Sequence, residues 1–163
     1  MGQAWLYLQL LLLLGVANGA PIVATHFLKA RWSAPLDGGL QFVDGRPLLG
    51  PSKTVRGLVV AVVFTAGVAA LLGWPLWVGA QIGLLAMAGD ALSSFTKRRL
   101  NIAPSGKATG IDQIPEALLP LLAVRDTFAL AWPEIAVLTL AFFVLEIPLA
   151  RLFFALGWRN RPY

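Results

Sequence analysis

Apolar residues run through most of this chain in long unbroken stretches, and polar residues gather in a few connections between them. The first stretch is Trp5 to Leu28, centred on LYLQLLLLLGVANGAPIVA. It ends in small residues, as a secretory leader would, but no basic segment precedes it and apolar character continues through Ile22 and Val23, so it reads as a retained helix. A polar, Gly/Pro-rich connection follows from Lys29 to Arg56. Gly57 to Leu72 is a second apolar stretch, closed by Gly73-Trp74-Pro75, which predicts a tight turn with an interfacial aromatic. The third stretch runs from Leu76 to about Phe95 and the fourth from about Asp112 to Val124, with the Lys97 to Ile111 loop between them. The fourth is thin, about 20 Å of helix at 1.5 Å per residue against a hydrocarbon core of about 30 Å. Glu134 to Trp158 is the fifth.

Such runs predict an all-α integral membrane protein of about five transmembrane helices, one domain over residues 1–163. A barrel would need short alternating strands instead. Composition agrees, with 58% hydrophobic and 13% charged residues, where a soluble domain carries about 25% charged. No cysteine is present, which removes thiolate chemistry and zinc–sulfur sites.

The net charge of +5 would suggest nucleic acid in a soluble protein. Here it points to the bilayer and to anionic lipid or nucleotide ligands, with no nucleic-acid partner. Five spans put Lys29, Arg31, Arg46, Lys53, Arg56, Lys97, Arg98, Arg99, Lys107, Arg151, Arg159 and Arg161 on one side and Arg125 on the other. The positive-inside rule then predicts an outside N-terminus, a cytoplasmic C-terminus and two long cytoplasmic loops, in the cell membrane.

Within this frame Asp90 stands out, because an acid beside a hydrocarbon core is costly and marks a functional site by default. Asp90, Ser93, Ser94 and Lys97 are spaced to share one helix face, which leads into Lys97-Arg98-Arg99. An acid–lysine pair with an anionic-lipid anchor would explain that face. So would a magnesium ligand with phosphate clamps, since Mg²⁺ takes one or two carboxylates plus substrate phosphates. Asp112 returns at the same membrane face as a second candidate ligand, or as a helix cap. The starts of the second helix, at Ser52 to Arg56, and of the fourth, at Asp112-Gln113-Ile114-Pro115, present positive dipole ends to that side. Asn18 is either a helix–helix hydrogen-bonding group or a polar group facing a cavity. His26, the only histidine, fits an interfacial place better than a catalytic one.

The Lys29 to Arg56 connection spans 28 residues, too long to be idle. Its Gly45 to Thr54 part is no Walker motif, because Pro51 rather than Lys follows Gly50 and no strand precedes it. No Ser-His-Asp set and no HExxH motif occurs. Phosphoryl or nucleotidyl transfer needs neither, because positioning and charge neutralisation carry most of it.

Four blocks resemble the CDP-archaeol synthase family, small relatives of the CDP-diacylglycerol synthases. They are Val16 to Pro21; Pro35-Leu36-Asp37 with Asp44-Gly45-Arg46; Gly50 to Gly57; and Gly89-Asp90 with Ser94-Phe95-Thr96-Lys97-Arg98-Arg99, Gly110 and Asp112-Gln113-Ile114-Pro115. The resemblance implies a CTP-dependent cytidylyltransferase acting on a lipid phosphate, archaeol-type or phosphatidate. It implies Mg²⁺ on Asp90 and Asp112, with Lys97, Arg98 and Arg99 on triphosphate or lipid phosphate. It also places Lys53, Thr54 and Arg56 along a nucleotide pocket, with Asp44, Asn18, Ser94 and Gln113 as further binding candidates. A lipid-phosphate transferase using another donor and a non-catalytic subunit with lipid-binding loops are the competing readings. Tail chemistry, metal count and oligomeric state are not written in these residues.

Overall fold

The computed structural model describes residues 2–103, 106, 108 and 110–158. Lys107, Arg159 and Arg161 of the charge argument lie outside them. Five helices follow in order: α1 (Gln3–Leu28), α2 (Val55–Leu71), α3 (Leu76–Arg99), α4 (Gln113–Ala123) and α5 (Trp132–Ala155). The described residues hold no strand, only two isolated bridges in the first loop.

Among the described residues α1, α3 and α5 are long and apolar enough to cross a membrane. At 17 residues α2 covers about 25 Å, and at 11 residues α4 covers about 16 Å. The observed bounds differ from the expected ones at functional places. α2 begins at Val55 because Thr54 caps it, its Oγ1 accepting from Gly57 N at 3.1 Å. α3 continues through Arg99, so Lys97, Arg98 and Arg99 form the last turn of a helix rather than the start of a loop. Cations there complement the negative end of the helix dipole.

Neighbouring helices pack in sequence, α1 on α2, α2 on α3, α3 on α4 and α4 on α5, while α1 also reaches α3, α4 and α5. The core between them is Leu10, Leu13 and Leu14 of α1 with Val78, Ile82, Leu121, Ile135, Leu138 and Phe142. The tightest seam joins α2 to α3. Ala61, Thr65 and Ala69 of α2 are fully buried against Gly79 and Gly83 of α3. A Cβ on Gly79 would lie 2.4 Å from the Thr65 carbonyl oxygen, and one on Gly83 2.8 Å from that of Ala61. Backbone therefore meets backbone, the close approach that small residues permit between membrane helices.

At the far end Gly73 takes φ +85° and turns the chain, and Trp74 Nε1 donates to Gln9 Oε1 at 3.1 Å. The other end gathers the C-termini of α1 and α3 with the N-termini of α2 and α4. α5 finishes there too, where Trp158 meets the rings of His26 and Phe153. Most of the described Lys and Arg collect at this end.

Candidate active site

The first loop is folded, and one carboxylate organises it. Asp37 Oδ2 accepts from the backbone N–H of Leu49 at 2.8 Å and Gly50 at 3.2 Å, while Oδ1 accepts from Gly39 at 3.0 Å. Burial alone would raise its carboxyl pKa; the Leu49, Gly39 and Gly50 donors outweigh that and hold it below the usual carboxylate range. Bridges pair Pro35 with Thr54 and Gln41 with Pro47.

Two arginines then fasten the loop to the end of α3. Arg46 Nη1 donates to the Arg99 carbonyl at 2.8 Å and the Arg98 carbonyl at 3.3 Å, satisfying helix-end acceptors. Arg99 answers with Nη1 on Asp44 Oδ1 at 2.8 Å and Nη2 on the Pro47 carbonyl at 2.7 Å. Its guanidinium also lies over the rings of Phe42 and Phe95, at 4.7 and 5.0 Å.

Folding in this way delivers Lys53 to Asp90, where its ammonium pairs with the carboxylate at the mouth of a cleft between α1, α2 and α3. Two turns further along α3, Lys97 Nζ pairs with Asp112 Oδ1 at 2.5 Å. Both pairs join different chain segments: Asp90 takes its lysine from the first loop, and Lys97 takes its acid from the head of α4. Lys97 still lies near enough to act on Asp90.

The head of α4 is held there by a seam with α3. A Cβ on Gly89 would lie 2.3 Å from the Pro115 carbonyl oxygen. Ser93, 1% exposed, hydrogen-bonds through Oγ with the carbonyls of Ile111 at 2.6 Å and Gly89 at 2.9 Å. Asp112 sits at the N-cap of α4 but makes no capping hydrogen bond with its side chain. The carboxylate turns to Lys97 instead. Gln113 Oε1 accepts from Gly110 N at 2.8 Å and closes the turn before the helix.

Arg98 completes this face. Its side chain is buried, and Nη2 donates to the Ala103 carbonyl at 3.0 Å. Nε and Nη1 have no hydrogen-bond partner among the described residues. A buried guanidinium whose two donors find no partner among the described residues offers them to an anion.

The other expected site residues take different places. Arg56 is buried and donates through Nη1 to the Lys29 carbonyl at 2.9 Å and through Nη2 to Thr25 Oγ1 at 3.0 Å, fastening the end of α1. Thr54 spends its hydroxyl on the α2 cap. Asn18 Nδ2 donates within α1, to the Leu14 carbonyl at 3.0 Å. Ser94 is buried beside Ser93. Asp44 and Arg99 face each other in the loop clamp. Lys53, Asp90, Lys97, Arg98 and Asp112 are thus the ones brought together.

Sequence reasoning missed Glu116, which is 6% exposed and close enough to act on Asp90, with Glu146 of α5 close enough to act on Glu116 in turn. The available signal was its position four residues after Asp112, on the same side of α4.

The donors also bear on a divalent ion. Among the described residues, no three or more His, Cys, Asp or Glu converge as a ready metal cage. Mg²⁺ needs none, being held through one or two carboxylates and substrate phosphates. The uncapped Asp112 carboxylate and Asp90 fit that role.

No family model matches the chain. It is 35% identical over 144 residues to the CDP-archaeol synthase of Hyperthermus butylicus, covering 83% of this chain and 80% of that protein. The CDP-archaeol synthase of Sulfurisphaera tokodaii is 44% identical over 116 residues, 67% of this chain and 65% of the relative. That of Saccharolobus islandicus is 36% identical over 137 residues, 79% of this chain and 78% of the relative. A solved structure described as an intramembrane enzyme for archaeal membrane lipids biosynthesis superposes with a TM-score of 0.72 at 30% identity, over 86% of this chain and 89% of that one.

Proposed function

The chain belongs to the CDP-archaeol synthase family, CTP-dependent cytidylyltransferases acting on a lipid phosphate in a membrane, and on that premise we propose that its acceptor is an archaeol-type phosphate. In this reading an oxygen of the lipid phosphate attacks the α-phosphorus of CTP. A P–O bond forms there, the bond to the β-phosphate bridge breaks, and pyrophosphate leaves with the electron pair. The acceptor needs no strong base, because the second pKa of a phosphate monoester is about 6.

The observation that carries this reading is the polar face of α3. The Lys53–Asp90 and Lys97–Asp112 pairs stand two turns apart along that face, and the donors of Arg98 left open among the described residues lie beside them. Lys97 and Arg98 hold the triphosphate, Lys97 turning from Asp112 to phosphate oxygen. Asp90 and Asp112 would hold Mg²⁺, which when bound neutralises phosphate charge. Asp44, Arg46 and Arg99 keep the loop roof over the site. The cations at one end of the bundle support a cytoplasmic site and an outside N-terminus.

The test is to supply purified protein with labelled CTP, Mg²⁺ and either archaeol-type phosphate or phosphatidate. CDP-lipid is expected from the archaeol-type acceptor, with turnover nearly abolished in Asp90→Asn and Asp112→Asn. Absence of CDP-lipid with both acceptors would end the reading, and preference for phosphatidate would move the acceptor.

A further inference from the structure

We propose that Glu116 is a positioning residue for the transfer, holding the Asp90 carboxylate from the α4 side without touching either substrate. The proposal rests on the cytidylyltransferase reading and adds a residue to its machinery. Its ground is the register of α3 against the head of α4. Ser93 Oγ meets the carbonyl oxygens of Ile111 at 2.6 Å and Asp112 at 3.3 Å. Four residues back along α3, a Cβ on Gly89 would lie 2.3 Å from the Pro115 carbonyl oxygen and 2.7 Å from Glu116 N, four residues forward on the facing segment. The two segments therefore run antiparallel and in step, which sets Glu116 beside Gly89 and Asp90. Its side chain is buried there, close enough to act on Asp90.

The head of α4 thus delivers two acids to α3, one turn apart. Asp112 has Lys97 as its cation, and Asp90 has Lys53, whose ammonium meets both carboxylate oxygens. Glu116 makes no salt bridge among the described residues; Asp90, Glu146 and Lys53 are the charged groups that act on it. A buried acid without a cation of its own is costly, so stability does not explain it. The reaction does. Lys53 and Lys97 are cations that an arriving phosphate attracts, and a lysine that turns to phosphate loosens its hold on the acid it leaves. Glu116 has no positive charge to lose to phosphate, and it rides on a segment fixed by backbone contact. It keeps Asp90 in place while the lysines turn, as an outer-shell partner fixes a ligand carboxylate.

The test uses the full chain in nanodiscs, with CDP-lipid formation measured against CTP at saturating lipid phosphate. Glu116→Leu keeps the bulk of the side chain and removes its polar end. It should lower kcat by about tenfold or more and leave KM for CTP within about twofold. Its melting temperature should equal or exceed that of wild type, because an apolar side chain replaces a buried acid. Glu116→Gln keeps a polar end that can donate an N–H to Asp90, so it should restore kcat to within about threefold of wild type. Should Glu116→Leu fail to fold, Glu116→Met makes the same comparison.

Wild-type kcat in Glu116→Leu overturns the proposal, and so does a Glu116→Gln variant as slow as Glu116→Leu. A rise in KM for CTP with kcat unchanged overturns it as well, because Glu116 would then bind nucleotide. A loss of kcat that only follows a loss of melting temperature, in the leucine and methionine variants alike, makes Glu116 a packing residue and overturns it too. Failure of the parent reading has its own mark: wild type itself makes no CDP-lipid.

Discussion

Gly89→Ala tests how closely turnover depends on the α3–α4 seam. The added Cβ would lie 2.3 Å from the Pro115 carbonyl oxygen, 2.5 Å from the Pro115 carbonyl carbon and 2.7 Å from Glu116 N. Ordinary contact begins near 3.4 Å, so the head of α4 must retreat by 3.4 − 2.3, or about 1.1 Å. No flexible side-chain end is there to yield, because all three atoms are backbone. Overpacking of this kind costs about 1–3 kcal/mol. The larger effect is positional: Asp112 and Glu116 ride on the displaced segment, and a 1 Å misplacement of reacting groups costs on the order of 100-fold. The expected result is kcat lowered about 100-fold, with the melting temperature reduced by only a few degrees. CDP-lipid formation from labelled CTP reads the first, and detergent-phase melting the second. Gly15→Ala is the control, since its Cβ would meet nothing within 4 Å in α1; it should keep full turnover and match or raise wild-type stability by up to about 1 kcal/mol. Wild-type turnover in Gly89→Ala would refute the claim that backbone contact positions the acids.

Other positions should separate binding from architecture. Arg98→Ala removes the two unused donors, so KM for CTP should rise by about tenfold or more while melting changes little, as kinetics and thermal scans will tell. Arg56→Met removes the hydrogen bonds to the Lys29 and Arg31 carbonyls and to Thr25 Oγ1 and should cost about 3 kcal/mol of stability, with KM for CTP unchanged below the new melting point. Asp37 carries a pH dependence: its pKa is lowered on folding, so its contribution is present above the unfolded value of about 3.9 and is lost as pH falls through the folded value. Limited proteolysis of the first loop should therefore accelerate under acid in wild type, and at neutral pH already in Asp37→Asn.

Much of this architecture was legible because the bilayer enforces long apolar runs. Asp90 was legible for the same reason, as an acid beside one of them. What could not be read is who partners whom. Arg56 and Arg99 look like nucleotide or phosphate ligands in sequence, yet backbone carbonyls, with the Thr25 hydroxyl and the Asp44 carboxylate, take their guanidinium groups, and carbonyls carry no sequence mark. Asp90 and Lys97 share a helical spacing that suggests a pair, but each found a closer partner across a tertiary contact. Glu116 disappeared into the apolar run that follows it, because its neighbour Asp90 is 26 positions earlier in the chain. Lys97, Arg98 and Arg99 read as a loop because cations break an apolar pattern, although a helix C-terminus favours them.

The backbone-to-backbone seam of Gly79 and Gly83 on α2 makes α2 and α3 a single plank of fixed width. Lys53 leads into one half of that plank and Asp90 stands on the other. A thicker bilayer is met by tilting, and tilting turns the plank without stretching it. The lysine and the acid therefore keep their separation across membranes of different composition. Among the described residues α5 touches α1 and α4 but neither half of the plank, so a shift of α5 leaves that separation unchanged.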